Sequence, residues 1–479
     1  MQDFAEIAVA ALESAPCSLE MPAGTGKTQL IVCMIRRVAD DGGRALVLTH
    51  TNAGVAAVTR RCRQLEIPRG SFRIMTICSW AESVANAYRR LSDFDATKTR
   101  EDKGYYEACE KAAAVAMSSD LFHKLLVLSY SSLLVDEYQD CSMLQHQLIE
   151  AMAGSISATV VLGDRLQRIF DFKGDPFPDW TNDVERSFRQ FAGLEPYPHR
   201  WSNGNQELGD WLLQYVRPKL LSGQRIDYAS ASMPGYEHLR YSIDMQATIG
   251  AAYKMARRGG NSLIVCPNIP PTSGEKLASR LGGTYSYMEE IEGSFLKKEI
   301  IEYEKSLSSG KQAYWLAQFA RKCFSGFGTK SLDSTVLKAI DRGCSLAKYT
   351  RSRPGFTDAL MALDEYSNSP NLSSFKKAYE SIEESRQGKI YRREAWRDTL
   401  KAIQGSFLSG SSPAEELSCI RNQLKYQDSR GGLRTISRTL LVKGLEYDHV
   451  IVNDAERINN PNNLYVALTR PKMTLTVIG

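Results

Sequence analysis

Ser18 to Leu30 reads SLEMPAGTGKTQL, and its core, Pro22, Ala23, Gly24, Thr25, Gly26, Lys27 and Thr28, has the residue types that hold a phosphate. Small residues let backbone N–H groups turn inward at the start of a helix, where they and the helix dipole favour an anion. Lys27 is placed to reach the β- and γ-phosphates of a nucleotide, and the Thr28 hydroxyl to ligate Mg²⁺. Met21 stands where the usual loop pattern has a glycine, but Gly24 and Gly26, which approach the phosphates, are present.

A second group follows well downstream. Leu133-Leu134-Val135-Asp136-Glu137 is an apolar strand ending in two carboxylates. Hydrolysis beside a phosphate loop needs such a pair, one acid to hold Mg²⁺ through water and one to activate the attacking water. An acidic strand end by itself is usually a solvated turn; after a phosphate loop it reads as a hydrolytic pair.

The elements that must position these groups are short, nearly continuous apolar runs: RALVLTHT (44–51), SLLVDEYQD (132–140), TVVLGDRLQ (159–167), NSLIVCPN (261–268), DHVIVNDA (448–455) and MTLTVIG (473–479). Such runs, with helical stretches between them, predict parallel sheets buried on both faces, an α/β fold. Between about 286 and 425 the strand runs fade, and segments such as FLKKEIIEYEKSL and QAYWLAQFARKCF predict a helical insertion. A smaller helical insertion is expected at 80–128.

Composition sets the outer bounds. With 479 residues and 43% hydrophobic content the chain can build two or more packed domains. No apolar run approaches the length needed to span a bilayer and the N-terminus has no basic leader, so the expectation is a cytoplasmic protein without a membrane partner. The ten cysteines include no CxxC pair, which predicts buried thiols rather than zinc ligands. A net charge of +5 neither demands nor excludes a polyanion.

VDEYQD (135–140) is nearly the signature of UvrD/Rep-type superfamily 1 helicases, and further blocks follow in that family's order. LTHTNAGV (48–55) resembles its block Ia, TICSW (76–80) more weakly its TFH block, and LGDRLQRIFDFKG (162–174) the block that couples hydrolysis to DNA. PHRWSN (198–203) resembles the block carrying the family's first arginine, LVKGLEYDHVIV (441–452) block V and YVALTR (465–470) block VI. The resemblance implies two RecA-like P-loop NTPase lobes: 1–79 with 129–195, and 196–285 with 426–479, interrupted by helical insertions at 80–128 and 286–425. Asp136 is then the Mg²⁺ carboxylate, Glu137 the general base and Gln167 a γ-phosphate sensor. Arg200 and Arg470 are expected to reach the γ-phosphate from the second lobe, and Glu446 to contact the nucleotide sugar.

His50, Asn52 and Phe172 fall where relatives contact single-stranded DNA, Phe172 in the place of a stacking tryptophan; Trp201 reads as structural. The sequence also departs from the family. The only glutamine upstream of the loop, Gln2, is too far from Lys27 to read adenine, and His199 replaces the tyrosine that stacks on the base. Leu440 stands where block V carries a DNA-contacting histidine. Arg392, Arg393, Trp396, Arg397 and Lys401 form a basic segment that reads as a solvated face or as a contact for duplex DNA or a partner.

The resemblance implies an ATP- and Mg²⁺-dependent motor on single-stranded DNA or tailed duplex, moving 3′ to 5′. Two other readings stay open at this level: an ATPase subunit that gates a partner nuclease in DNA repair or anti-phage defence, and an RNA motor.

Overall fold

The computed structural model describes residues 3–92, 94–95, 97–100, 102, 104–169, 176–270, 272–290, 293–329, 331–424 and 432–479. The chain divides into two compact units, Met1–Gly235 with Asn459–Met473, and Tyr236–Ile458 with Thr474–Gly479.

The first unit is built on six strands: β1 (Cys17–Glu20), β2 (Ala45–Thr49), β3 (Phe72–Thr76), β4 (Ser132–Val135), β5 (Ala158–Gly163) and β6 (Arg189–Gln190). They form one parallel sheet in the order β3-β2-β4-β5-β1-β6. Residue alternation divides its two faces. Leu46, Leu48, Leu133, Val135 and Val161 enter one apolar cluster, and Ala45, Val47, Leu134, Val160 and Leu162 the other. Burial on both sides explains the unbroken apolar runs. One face is covered by helices Phe4–Glu13 and Lys27–Asp40, whose Ile7, Leu30, Ile31 and Met34 complete that cluster.

The other face is covered by the insertion, helices Ile77–Ala87, Tyr105–Ala116 and Asp120–Ser129, which contribute Trp80, Cys109 and Phe122. Among the described residues no single helix is long and apolar enough to cross a membrane, although the last two, bent by 98°, meet length and composition as a pair.

The second unit carries β7 (Tyr236–Leu239), β8 (Ser262–Cys266), β9 (Ser286–Tyr287), the short pair β10 (Phe324–Ser325) and β11 (Lys389–Ile390), then β12 (Arg434–Arg438), β13 (Tyr447–Val452) and β14 (Pro471–Ile478). Its parallel six-stranded sheet runs β7-β14-β13-β8-β12-β9, while β10 and β11 pair antiparallel. Between β9 and β12 lies the larger helical insertion, from Ser294–Ser309 to Pro413–Leu424. Two parallel six-stranded sheets, each accompanied by a mainly helical insertion, are thus the fold.

The larger insertion has its own core, in which Trp315, Phe319 and Trp396 stack with centroids 5.1 and 5.5 Å apart. Of the basic segment at 392–401, read as a solvated face or as a contact for duplex DNA or a partner, two members are not at the surface. Arg392 and Trp396 are 4% and 2% exposed, because helix Arg393–Ser409 turns Ala395, Trp396, Leu400 and Ile403 into the core. Arg392 ion-pairs with Glu275 at 3.1 Å and Glu289 at 3.2 Å, with its guanidinium 3.6 Å from the Phe295 ring centroid. Arg393, Arg397 and Lys401, spaced four apart, form the exposed side.

Candidate active site

The phosphate loop joins β1 to helix Lys27–Asp40. Its shape depends on two glycines: Gly24 at φ +77° and Gly26 at φ +91°, the latter capping the helix. Both also allow close approach. A Cβ on Gly24 would stand 2.6 Å from the Trp201 ring, and one on Gly26 would strike the Phe4 ring. The residue before the loop, Met21, is buried and donates its N–H to the Gly163 carbonyl at 2.8 Å. It ties the loop to β5, a fixing task that needs no glycine. Within the loop Thr25 bonds back to the Pro22 carbonyl at 2.7 Å, and Thr28 sits half-buried in the first turn of the helix.

The acidic pair stands opposite. Asp136 follows β4 and donates its N–H to the Leu48 carbonyl at 2.8 Å. Glu137 adopts φ +55°, an uncommon conformation for a residue with a side chain, and its N–H binds the Asp136 carboxylate at 2.8 Å. The Lys27 ammonium lies 2.9 Å from Glu137 and 3.7 Å from Asp136. Burial works against the ammonium charge, but the Glu137 and Asp136 carboxylates outweigh it and hold its pKa above the ordinary value.

From Glu137 a polar chain crosses the ends of the strands. Gln139 Nε2 donates to Glu137 Oε2 at 2.5 Å, and Gln139 Oε1 accepts the Asp164 N–H at 2.9 Å. Asp164, fully buried after β5, accepts from Gln167 Nε2 at 2.9 Å and from Arg217 Nη1 at 2.6 Å. Arg217 also pairs with Glu20, which accepts two bonds from Arg165 at 2.9 and 2.6 Å. Burial opposes the Arg217 charge; the Asp164 and Glu20 carboxylates prevail and keep it protonated.

Segment 459–473 returns to the same unit. Tyr465, on helix Pro461–Leu468, accepts the Ala23 N–H of the loop at 3.1 Å. Arg200 donates its N–H to the Gly24 carbonyl at 2.9 Å and its Nη1 to the Thr469 carbonyl at 2.5 Å. Arg470 is 1% exposed and donates to the Val466 carbonyl at 2.8 Å and to Thr469 Oγ1 at 3.0 Å. The sequence reading assigned both arginines to the second lobe; the compact division puts them in the unit that holds the phosphate loop.

His199 packs against Phe4 and Tyr197, with both centroid separations 4.8 Å, and lines a shallow pocket with Met21 and Thr25. Burial lowers its pKa, so the ring is neutral near pH 7. Trp201 is fully buried and donates to the Pro471 carbonyl at 2.7 Å, the structural place expected of it.

His50, at the end of β2, meets the Cys141 sulphur at 3.3 Å, and Asn52 opens the helix capped by Thr51. Glu446 is exposed on the second unit, just before β13. Phe172 and Gln2 lie outside the described residues.

Residues 5–173 match the family model of the AAA domain. The match covers less than half of the chain and contains both the phosphate loop and the acidic pair. No protein of curated function matches. Solved structures that match include Pif1 helicase from Candida albicans, at 14% identity over 54% of this chain and 55% of that one, TM-score 0.30. Unliganded Pif1 from a Bacteroides species matches at 12% identity over 58% and 55%, TM-score 0.29. The chain thus aligns with just over half the length of these helicases.

Sequence reasoning passed over Glu20, Gln139, Asp164, Tyr465 and Arg217. The first four lie inside or beside quoted motifs, where a polar residue next to a motif was the available signal. Arg217 had none: its partners Glu20 and Asp164 are remote in sequence, and it falls in an ordinary helical stretch.

Proposed function

We propose that the chain is an ATP-dependent motor on single-stranded DNA, of the superfamily 1 helicase kind with UvrD/Rep-like motifs, moving 3′ to 5′. The observation that carries the reading is the Lys27–Glu137–Asp136 cluster at the phosphate loop, joined through Gln139 and Asp164 to Gln167.

Thr28 and Asp136 are hard oxygen donors flanking Lys27, a set that fits Mg²⁺ held largely by substrate phosphates. The ion would supply neutralisation of phosphate charge. The loop N–H groups and Lys27 bind the phosphates, releasing Lys27 from the carboxylates. Glu137, freed of that ammonium, accepts a proton from water, and Asp136 holds its backbone in the required conformation. Gln167 registers the terminal phosphate through Asp164, with Arg200 and Arg470 as guanidinium donors to transition-state charge. His199 offers a face to the nucleobase and Glu446 a contact to the sugar. His50, Asn52 and Phe172 take the strand, and His50 reaches the hydrolytic segment through Cys141.

A second reading, gating of a partner nuclease, draws on helix Asp120–Ser129. There Leu121, Val127 and Leu128 are 65%, 55% and 84% exposed, and clustered exposed apolar side chains mark protein contacts. Strand displacement on 3′-tailed, 5′-tailed and blunt duplexes separates the readings. Displacement from the 3′-tailed substrate by the lone chain supports the motor; ATP hydrolysis with no displacement until a nuclease is added supports the gate.

A further inference from the structure

The phosphate loop carries a side chain that its proposed chemistry has not used. Tyr465 is fully buried, and its hydroxyl accepts the backbone N–H of Ala23, a residue of the loop itself. The Arg217 guanidinium sits over its ring, 5.7 Å from the centroid. The phenol oxygen is thus an acceptor toward the loop, and its own proton is directed elsewhere. Among the described residues no hydrogen bond uses that proton. Burial, followed by Asp164, pushes the phenol pKa up, so the proton stays on.

Position supplies the rest. Gly26, Lys27 and Thr28 form the helix end of the loop, whereas Ala23 is at the opposite end. Tyr465 also adjoins Arg217, whose partner Asp164 is bridged by Gln139 to Glu137, the carboxylate read as the water-activating base. The phenol therefore belongs to the side of the loop where the bond is broken. Resting on the ATPase reading above, we propose that Tyr465 distinguishes a nucleoside triphosphate from a diphosphate, by donating its unused proton to the terminal phosphate while it holds Ala23 in place. Arg217 is the positioning residue that fixes the phenol, and segment 459–473 thereby joins the nucleotide's third phosphate to Arg470.

The test is equilibrium binding by titration calorimetry with Mg²⁺, using ADP and the non-hydrolysable β,γ-imido analogue of ATP. In Tyr465→Phe the preference for the triphosphate analogue over ADP should fall about tenfold or more, as for a hydrogen bond to a charged group. A structural effect alone would weaken both ligands alike. Equal change for both, or an unchanged ratio, overturns the assignment; a gain for both shows the hydroxyl to be an occupant that phosphate displaces, and overturns it too. Should Tyr465→Phe not fold, 3-fluorotyrosine at the same position keeps the ring and makes a stronger donor. It should raise the preference, and an unchanged ratio there again overturns the proposal. Failure of the wild-type chain to bind either nucleotide would defeat the ATPase reading itself, a result distinct from all of these.

Discussion

Lys27 is held by two carboxylates, 2.9 Å from Glu137 and 3.7 Å from Asp136, and the proposed hydrolysis gives each of the three charges a separable task. Lys27→Ala removes a phosphate ligand and also the cation between two acids; nucleotide affinity should fall steeply in a binding titration. Glu137→Gln keeps the hydrogen-bonding shape and removes the base. It should bind ATP at least as well as wild type and lose about 10²-fold or more in turnover. A Glu137→Gln rate equal to wild type would show that another group takes the proton. The residues of these motifs were legible because their chemistry is local: Lys27 with Thr28, and Asp136 with Glu137, are neighbours in the chain. The residues that connect the motifs were not. Asp164 stood within a quoted block, but that it receives both Gln167 and Arg217 follows from where β5 ends and where a helix more than fifty residues later returns.

At the scale of elements, the ends of β1 and β5 are fastened by Arg217, which answers Glu20 and Asp164 together. Arg217→Ala would leave a fully buried carboxylate without its cation, and removing one partner of such a pair costs about 3–5 kcal/mol. A urea melt of the variant should show that loss, and a change of under about 1 kcal/mol would mean the pair is not a structural fastener. In the second unit Glu289 sits at the base of the helical insertion. Burial, with Glu394 and Glu275 nearby, pushes its carboxyl up to about 7 against the pull of Arg392 and Arg421. Between pH 4.5, the ordinary value for a glutamate, and about 7 the folded state therefore holds a proton that the unfolded chain releases. Stability should fall as pH rises through that window, and Glu289→Gln should flatten the fall. Parallel urea midpoints from pH 4.5 to 7.5 test this, and equal slopes in both proteins would contradict it. The strands were readable because burial on both faces leaves an unbroken apolar run. The basic segment at 392–401 was legible only in part: its charges are conspicuous in sequence, while the spacing of Ala395, Trp396, Leu400 and Ile403 decides which side faces the core.

For the whole molecule, the sequence reveals two parallel sheets with helical insertions, and the structure has them. The assignment of segments to units was less legible. Arg200 and Arg470 stand beside the phosphate-loop sheet because 459–473 re-enters the first unit before β14 completes the second sheet, and chain order carries no signal for that return. The functional claim is that hydrolysis at the loop answers to a nucleic-acid strand. Contacts to backbone phosphates and stacked bases are tolerant of sequence and sensitive to salt. Stimulation should accordingly be similar for single strands of different composition and decline as salt rises, and matched RNA should stimulate less. The most direct measurement is ATP turnover by the purified chain as single-stranded DNA is titrated in, with Glu137→Gln in parallel. The account predicts hydrolysis that rises with the strand and is lost in the variant; no hydrolysis by the wild-type chain, or stimulation by blunt duplex alone with none from single strands, would contradict it.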